Sequence, residues 1–298
     1  MPKSDRAAQK RQDKDSEASL WIRLATFLAV LAVVALCGMI VIAALPALLA
    51  SSHTPFEWVW QPYQGHFGIL PMCAGSVLLA LSALALGFPW ALAIVIWHLT
   101  EEAQALASAR KGFGIFIRLL TTVPTVVLSF AAVFLLTPLL RTAFGGTGMC
   151  LLGATLMLSL LILPTMVLVM ESGLSQRLDA LCPHALALGL SRYQLLCHCV
   201  LPKNRQTLIQ AAVLGFGRAC GDTLLPLMLA GNAPKLPTGF TESARTLSAH
   251  MALVTANEVG GAAYNSLFAA GLCLLCTTIA VTLVLRRLAP AKDQKTHS

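Results

Sequence analysis

Charged residues are scarce in this chain of 298 residues. Asp, Glu, Lys and Arg together make up 11% of it, while 57% of the residues are hydrophobic. Soluble domains carry about 25% charged residues, so the composition excludes an ordinary soluble protein and indicates an integral membrane protein. The basic excess, a net charge of +8, is not interleaved with aromatic residues. We therefore expect no nucleic-acid partner and interpret the basic residues as loop charge that orients membrane helices.

Several sequence motifs of ATP binding and catalysis are also missing. The chain contains no G-x-x-x-x-G-K-[ST] phosphate-binding loop, so it is not expected to bind ATP by itself. It contains neither the H-E-x-x-H motif nor the G-x-S-x-G motif. The sequence therefore shows no recognisable catalytic motif of a membrane enzyme. Possible soft metal ligands share one loop, namely Cys182, His184, Cys197, His198 and Cys199. Their spacing fits no common zinc site. We predict a protein that is not an enzyme and that needs neither a cofactor nor a metal.

Long apolar runs dominate what is present. A membrane-spanning helix takes about 20 apolar residues, and the runs of that length cover residues 22–50, 69–98, 114–139, 149–171, 207–230 and 263–285. These runs predict an all-α membrane protein with six transmembrane helices, of which residues 21–50 form the N-terminal one. Residues 1–20 and 289–298 are polar tails, and the composition of residues 1–20 predicts disorder.

Basic residues are concentrated on one side of this predicted bundle. They lie in both tails, in the connection between the second and third runs, and in residues 172–206 between the fourth and fifth runs. The other side has only Arg141, Lys235 and Arg245. Because cytoplasmic loops carry the excess of Lys and Arg, both termini and residues 172–206 are predicted to be cytoplasmic.

The connection 172–206 has the pattern of two short helices joined by a turn. Its centre reads PHALALGLSRYQLLCHCVLP, from Pro183 to Pro202. Gly189 can end the first helix with φ above zero. Ser191 with Gln194 is a capping-box pattern for the second helix, in which Tyr193, Leu196 and Val200 should share one face until Pro202 stops it.

This connection resembles the EAA loop of ABC-transporter inner-membrane permeases. The match rests on the spacing from Gly189 through nine residues to Cys199, Val200, Leu201 and Pro202, and on Ala185 at the position of the second alanine. Pro183, His184 and Cys199 depart from the family's pattern. The resemblance implies that the loop docks into a separate ATP-binding subunit dimer. The residues that would carry this coupling are Ala185, Gly189, Leu201 and Pro202.

The run VLGFGRACGDTLLPLMLAGN, from Val213 to Asn232, places two opposite charges in an apolar stretch. Arg218 and Asp222 are four residues apart, so on one continuous helix they would share a face and neutralise each other. Gly217 and Gly221 form a G-x-x-x-G spacing that lets another helix approach closely. One interpretation is an ion pair that only locks two helices together. The other is an anion site, because the guanidinium of Arg offers a planar fork of donors to an oxyanion.

The same run is similar to a stretch of phosphate ABC-transporter permeases that reads Leu-Gly-x-Gly-Arg-Ala-x-Gly-Glu-Thr and ends in Gly-Asn. The matching residues are Gly215, Gly217, Arg218, Ala219, Gly221, Thr223, Gly231 and Asn232, and Asp222 replaces the usual Glu. TTVPTVVLSF, with Thr125 and Ser129, resembles the third span of that family. The resemblance covers about residues 65–288 and is closer to the C-type than to the A-type subunit.

The resemblance implies a type I permease subunit of the MetI-like fold, in a bacterial inner membrane, that belongs to an ATP-driven ABC importer for inorganic phosphate. It implies a substrate path along Arg218, Asp222, Thr223, Thr125 and Ser129. Arg118, Thr122, Thr125 and Ser129 would then share one face of the third span. The implied partners are the ATP-binding subunit dimer, a second permease subunit in a heterodimer, and an extracytoplasmic phosphate-binding protein.

Two alternatives stay open at this point. The same machine could carry molybdate, tungstate or sulfate, since one Arg does not distinguish tetrahedral anions. An ion-coupled secondary transporter could use Arg218 and Asp222 as a relay. Such carriers often show inverted repeats, and none is evident here.

Overall fold

The computed structural model describes residues 3–49, 56–100, 107–257 and 261–288. Almost all of this is helical, with one two-stranded hairpin. In chain order the first elements are α1 (Lys3–Leu49), β1 (Trp60–Gln61), β2 (His66–Phe67), α2 (Leu70–Thr100), α3 (Ala107–Thr122), α4 (Thr125–Phe144) and α5 (Leu151–Ala187). They are followed by α6 (Arg192–Gln194), a π-helical stretch (Leu195–Val200), α7 (Leu201–Lys203), α8 (Arg205–Gly221), α9 (Leu224–Leu229), α10 (Leu247–Asn257) and α11 (Ala262–Leu288).

Five helices in the described ranges are long and apolar enough to cross a membrane. They are Arg23–Pro46, Leu70–Thr100, Thr125–Phe144, Leu151–Ala187 and Ala263–Val284. The predicted all-α membrane fold is therefore confirmed, and the chain is a multi-pass membrane protein. The predicted fifth span, residues 207–230, is built from two helices, α8 and α9, instead of one.

The predicted third span is also divided. α3 ends at Thr122 and α4 begins at Thr125, so Val123 and Pro124 interrupt the helix. Proline lacks a backbone N–H and disfavours the helical conformation of the residue before it, which explains the break at this position. α4 packs against α9, so the second halves of the two divided spans lie beside each other.

Helix α5 is the centre of the bundle. It packs against α2 and α8, and it buries Leu158, Ile162, Met166, Met170 and Leu174 completely. Its 37 residues correspond to about 55 Å at 1.5 Å per residue, which is far longer than a membrane core of about 30 Å. α5 therefore continues well beyond the membrane and forms the first part of residues 172–206.

Helix α1 lies at the edge of the bundle against α11. Its apolar side chains are largely exposed, with Phe27 at 64% and Ile42 at 69% of their full surface. In a membrane such exposed apolar side chains contact lipid, and a helix tolerates this position because its interior backbone groups are hydrogen-bonded within the helix. Residues 3–20, for which the composition predicted disorder, continue α1 as helix instead. This stretch contains Ala, Lys, Arg and Gln repeatedly, and these are strong helix formers. The C-terminal tail 289–298 lies outside the described residues.

A small non-spanning layer closes the end of the bundle opposite residues 172–206. This layer, here named the cap, consists of residues 56–68 with the β1–β2 hairpin and residues 231–257 with α10. Trp60 pairs with Phe67 in the hairpin. Trp60 also packs edge-on against His250 of α10, with ring centroids 4.3 Å apart. The two parts of the cap are thus held together by an aromatic contact.

Candidate functional site

The break between α8 and α9 places Asp222 in a role that the sequence pattern did not predict. Asp222 follows the last residue of α8 and has an extended backbone, with φ −74° and ψ 133°. Its carboxylate Oδ2 accepts a hydrogen bond of 3.0 Å from the backbone nitrogen of Leu225, in the first turn of α9. Its backbone oxygen accepts a hydrogen bond of 2.9 Å from Ser248 Oγ of the cap. Asp222 therefore caps α9 and ties the break to the cap.

Arg218 is held by another helix. Its Nη1 donates a hydrogen bond of 2.7 Å to Thr165 Oγ1 of α5. Among the described residues Arg218 and Asp222 form no ion pair within 4.0 Å. The predicted contact pair is therefore not formed, and the two charges interact only at longer range. The four-residue spacing gives one face only on a continuous helix, and here the helix ends at Gly221.

Arg218 and Thr165 lie on the wall of a cavity of about 380 Å³ between α5, α8 and α11. α8 contributes Gly217, Arg218 and Gly221 among others, and α11 contributes Thr277, Thr278, Val281 and Thr282. No described residue on this wall carries a carboxylate, because Asp222 does not reach it. The cavity therefore presents one cation and several hydroxyl groups, which suits a small anion.

The two glycines of the G-x-x-x-G spacing have different environments. A Cβ placed on Gly217 would lie 2.9 Å from Val281 Cγ1 of α11, whereas one placed on Gly221 would meet nothing within 4 Å. Gly217 therefore allows the close approach of α8 and α11 at the cavity, as predicted. Gly221 belongs to the helix break instead.

The predicted polar residues of the third span do not reach this cavity. Ser129 is completely buried, and its hydroxyl donates to the backbone oxygen of Thr125 at 2.8 Å. The break at Pro124 separates Thr122 from Thr125, so the face predicted for Arg118, Thr122, Thr125 and Ser129 is not continuous. Thr223 lies in the break between α8 and α9 and is not on the cavity wall.

Residues 172–206 have the predicted helix–turn–helix form. Gly189 has φ +75°, and Ser191 and Gln194 form the reciprocal capping box with bonds of 3.2 and 3.0 Å. The second helix continues from Arg192 to Lys203 and contains a π-helical stretch. Pro202 lies inside its last turn, and Asn204 ends it by bonding Val200 O through Nδ2 at 2.8 Å.

The faces of this second helix differ in part from the prediction. Leu196 and Val200 are buried, but Tyr193 is 55% exposed. Arg192 fixes the helix to α5 through Asp179, at 3.5 Å, and through Cys182 Sγ, at 3.4 Å. Buried Ala185 and half-buried Leu201 lie on the packed side, while Gly189 and Pro202 are exposed.

Sequence reasoning missed several polar residues of the site. Thr165 follows Pro164 in an apolar run, and Thr277, Thr278 and Thr282 interrupt the last span. Polar residues in a span were the available signal. Their partners depend on which helices pack together, which no local pattern contains. A further missed pair is His98 Nδ1 of α2 with Glu171 Oε1 of α5, at 3.1 Å. Among the described residues no group of three possible metal ligands is found.

Comparison with known proteins is consistent with this architecture. Residues 104–294 match the family described as the binding-protein-dependent transport system inner membrane component. The chain belongs to this family. It is therefore a permease subunit of an ABC importer, a kind of protein that works with an ATP-binding subunit and a substrate-binding protein. This membership argues against the alternative interpretation of the chain as an ion-coupled secondary transporter.

Individual relatives are similar over most of the chain. A probable ABC transporter permease protein, YqgH, of Bacillus subtilis (strain 168) is 28% identical over 288 residues, which cover 94% of this chain and 92% of the relative. The phosphate transport system permease protein PstC of Haemophilus influenzae (strain ATCC 51907 / DSM 11121 / KW20 / Rd) is 28% identical over 260 residues, 80% and 81% of the two chains. PstC of Mesorhizobium japonicum (strain LMG 29417 / CECT 9101 / MAFF 303099) is 26% identical over 257 residues, 80% and 78% of the two chains.

A solved structure shows the same fold. The inward-facing MetNI methionine ABC transporter matches with a TM-score of 0.56 and 15% identity, covering 78% of this chain and all of the matched chain. At this identity the likeness concerns the fold alone. The MetI-like permease fold is therefore confirmed.

Proposed function

We propose that this permease carries inorganic phosphate and that Arg218 binds the anion on its way through the membrane. The observation that carries the proposal is the position of Arg218: it lies in an apolar span and faces a cavity, and among the described residues its side chain donates only to a neutral hydroxyl. An ionisable group inside a membrane is costly and normally marks a pathway or a ligand site. The names of the PstC relatives support phosphate as the substrate.

The environment of Arg218 suits an exchange of ligands. In the structure Nη1 of Arg218 donates a hydrogen bond to Thr165. The described residues of the cavity wall include no carboxylate that could bind the other N–H groups of the guanidinium. An arriving oxyanion can therefore take a charge-assisted bidentate bond without first displacing an acidic side chain.

Coupling to ATP hydrolysis is assigned to residues 172–206. Large apolar side chains are exposed at the far end of this segment, with Leu186 at 55%, Leu188 at 79% and Tyr193 at 55% of full exposure. An exposed apolar patch rimmed by polar residues is typical of a docking surface. We propose that a dimer of ATP-binding subunits docks here, and that Ala185, Gly189, Leu201 and Pro202 keep the two helices of the segment in register.

A second permease subunit is proposed to cover α4. Phe134, Leu135 and Leu139 are between 64% and 72% exposed on this helix, beside the breaks of both divided spans. A heterodimer is the expected form, with a phosphate-binding protein delivering substrate at the cap. Both termini are proposed to be cytoplasmic, because the basic residues cluster on that side. A reporter fused after Arg286 should then be cytoplasmic and a tag at Gly239 accessible from outside.

The proposal is tested by substitution of Arg218 and measurement of phosphate uptake with its partner subunits. Arg218→Lys keeps the positive charge but loses the planar guanidinium, which can donate two parallel hydrogen bonds to an oxyanion. Uptake should fall by about tenfold or more, since a hydrogen bond to a charged group contributes roughly 1.5–3 kcal/mol. The control is Arg23→Lys at an exposed position of α1, which should leave uptake unchanged. Complex yield is measured beside uptake, so that failed assembly is recognised.

The outcome decides between the two interpretations of Arg218. If Arg218→Lys and Arg218→Met assemble and transport as the parent does, Arg218 serves packing alone. The rival substrates are tested with the same protein, by uptake of labelled molybdate, tungstate and sulfate. Transport of one of these in preference to phosphate would contradict the assignment of the substrate.

A further inference from the structure

We propose that the cavity beside Arg218 selects oxyanions that still carry a proton, such as hydrogen phosphate or arsenate, over fully deprotonated ones such as sulfate or molybdate. The inference rests on the proposed function, because it assumes that the anion enters this cavity. It assigns separate roles to two walls: α5 and α8 supply hydrogen-bond donors, and α11 supplies acceptors.

The donor wall consists of Arg218 and Thr165. Thr165 Oγ1 accepts the hydrogen bond from Arg218 Nη1 at 2.7 Å. Its own hydroxyl hydrogen has no acceptor among the described residues. A hydroxyl carries one hydrogen and two lone pairs, so Thr165 can donate to a ligand while it holds Arg218 in place. An anion at this wall would receive bonds from both side chains.

The threonines of α11 differ from Thr165 in the use of their hydrogens. Thr277 Oγ1 donates to Cys273 O at 2.8 Å, Thr278 Oγ1 to Leu274 O at 2.6 Å, and Thr282 Oγ1 to Thr278 O at 2.8 Å. Each hydrogen is therefore committed to the backbone of α11 itself. Each hydroxyl oxygen keeps lone pairs, so this wall can accept hydrogen bonds but has no free hydrogen to donate.

This arrangement discriminates between anions of the same shape. A fully deprotonated tetrahedral oxyanion only accepts hydrogen bonds, so its oxygens would face the lone pairs of Thr278 and Thr282 without a bond. Hydrogen phosphate keeps a hydroxyl that can donate to them while its charged oxygens face Arg218 and Thr165. Thr278 and Thr282 are exposed in the structure, and an anion that fills the cavity would cover their lone pairs. A polar group that is desolvated without a partner costs free energy, so the deprotonated anion binds less well.

The acceptors are neutral, which separates this device from a carboxylate. Asp222 is committed to capping α9, and no carboxylate lies among the described residues of the cavity wall. A carboxylate would also accept a hydrogen bond from the protonated oxygen of the ligand. Its negative charge, however, would cancel the charge of Arg218 and repel the anion. Hydroxyl oxygens supply the acceptor without that repulsion.

Competition binding to the purified complex tests the proposal. The variant Thr278→Val/Thr282→Val removes two of the three acceptors of α11 at nearly constant shape and leaves Thr277, and Thr165→Val removes the free donor. Thr255→Val is the matched control, because Thr255 makes the same kind of bond to its own helix, to Met251 O at 2.8 Å, but lies on α10 away from the cavity. Binding of labelled inorganic phosphate is measured by equilibrium dialysis against arsenate, sulfate and molybdate as competitors.

The parent should be displaced by arsenate and much less by sulfate or molybdate. In Thr278→Val/Thr282→Val the preference for phosphate over sulfate should shrink by about tenfold, the usual effect of one hydrogen bond. Thr278→Ser/Thr282→Ser should keep the preference. Thr165→Val should weaken all these anions alike, and Thr255→Val should change nothing.

An unchanged preference in the valine variant would overturn the role of Thr278 and Thr282 as the acceptors while leaving the proposed function intact. Equal competition by sulfate and arsenate in the parent would do the same. If the parent complex binds no oxyanion at all, the proposed function itself is wrong. The failure of the two proposals is thus distinguishable.

Discussion

The carboxylate of Asp222 lies 3.0 Å from the backbone nitrogen of Leu225 and caps α9, and it forms no salt bridge within 4.0 Å with Arg218 four residues earlier. A helix start leaves its first backbone N–H groups without partners, and an Asp side chain satisfies one of them. The two charges of this span therefore have separate tasks. Asp222 fixes the break in the helix, and Arg218 is left to face the cavity.

Substitution of Asp222 should separate capping from charge pairing. Asn is as good a capping residue as Asp, so Asp222→Asn should assemble almost as the parent does. Asp222→Ala should lose about 1 kcal/mol of stability, the usual value of a cap. Thermal unfolding and complex yield are measured for both variants. Equal damage from Asn and Ala would show that the negative charge itself is needed and would contradict the capping role.

A compensating pair of substitutions should test the contact between α8 and α11. A Cβ on Gly217 would lie 2.9 Å from Val281 Cγ1, so Gly217→Ala should cost about 1–3 kcal/mol through overpacking. Val281→Ala removes the clashing methyl groups. The double variant should therefore be more stable than Gly217→Ala alone, and the measurement is the thermal midpoint in detergent.

Gly221→Ala is the control for this pair, because a Cβ there meets nothing within 4 Å. It should change the midpoint much less than Gly217→Ala does. If Val281→Ala fails to restore stability to Gly217→Ala, the two helices do not depend on this contact.

Much of the fold follows from local sequence. Apolar runs of sufficient length locate the spans, and Gly189 with Ser191 and Gln194 locates the turn of residues 172–206, because positive φ and capping are properties of a few adjacent residues. Pro124 lies at the break of the third span. The break at Asp222 had a visible signal too, since Asp is a common helix cap, but the four-residue spacing to Arg218 favoured a continuous helix.

The site itself depended on tertiary structure. Thr165 and Arg218 are 53 residues apart in sequence, and the threonines of α11 are farther still. Nothing local indicates which of these polar residues meet. For Ser129 the local pattern was misleading. Its place in a polar stripe predicted a position on the substrate path, but Ser129 is completely buried and its hydroxyl is bonded to its own helix.

Acid should weaken the cap through His250. His250 is completely buried, and neither ring nitrogen has a hydrogen-bond partner among the described residues. Burial, with a smaller contribution from the charge of Arg245, lowers the pKa of His250 from 6.5 to about 3. Below pH 6.5 the unfolded state therefore binds a proton that the folded state does not, so stability falls as the pH falls from 6.5 towards 3. The full contribution is present above pH 6.5.

The expected loss is about 2 kcal/mol at pH 5, from about 1.4 kcal/mol per pH unit. Unfolding is followed by tryptophan fluorescence, since Trp60 contacts the imidazole. His250→Phe keeps the edge-on aromatic contact and removes the titrating group, so its unfolding should depend less on pH between 5 and 7. His184→Gln, at an exposed position, should retain the dependence of the parent. A parent that is equally stable at pH 5 and pH 7 would contradict the prediction.

Gly189 should be required for its backbone conformation and not for its small size. Its φ is +75°, and a Cβ there would meet nothing within 4 Å. A β-branched residue is strongly disfavoured in this region, whereas Asn tolerates it. In Gly189→Val the turn should change to relieve the strain, which moves the helix Arg192–Lys203 relative to α5.

We expect Gly189→Val to insert in the membrane but to lose ATPase association and uptake, and Gly189→Asn to keep both. Membrane insertion, co-purification of the ATP-binding subunit and uptake are measured for the two variants beside the parent. Because the surroundings are empty, a steric clash within this chain does not explain a difference between them. If Val and Asn behave alike, the positive φ of Gly189 is not what positions the docking surface.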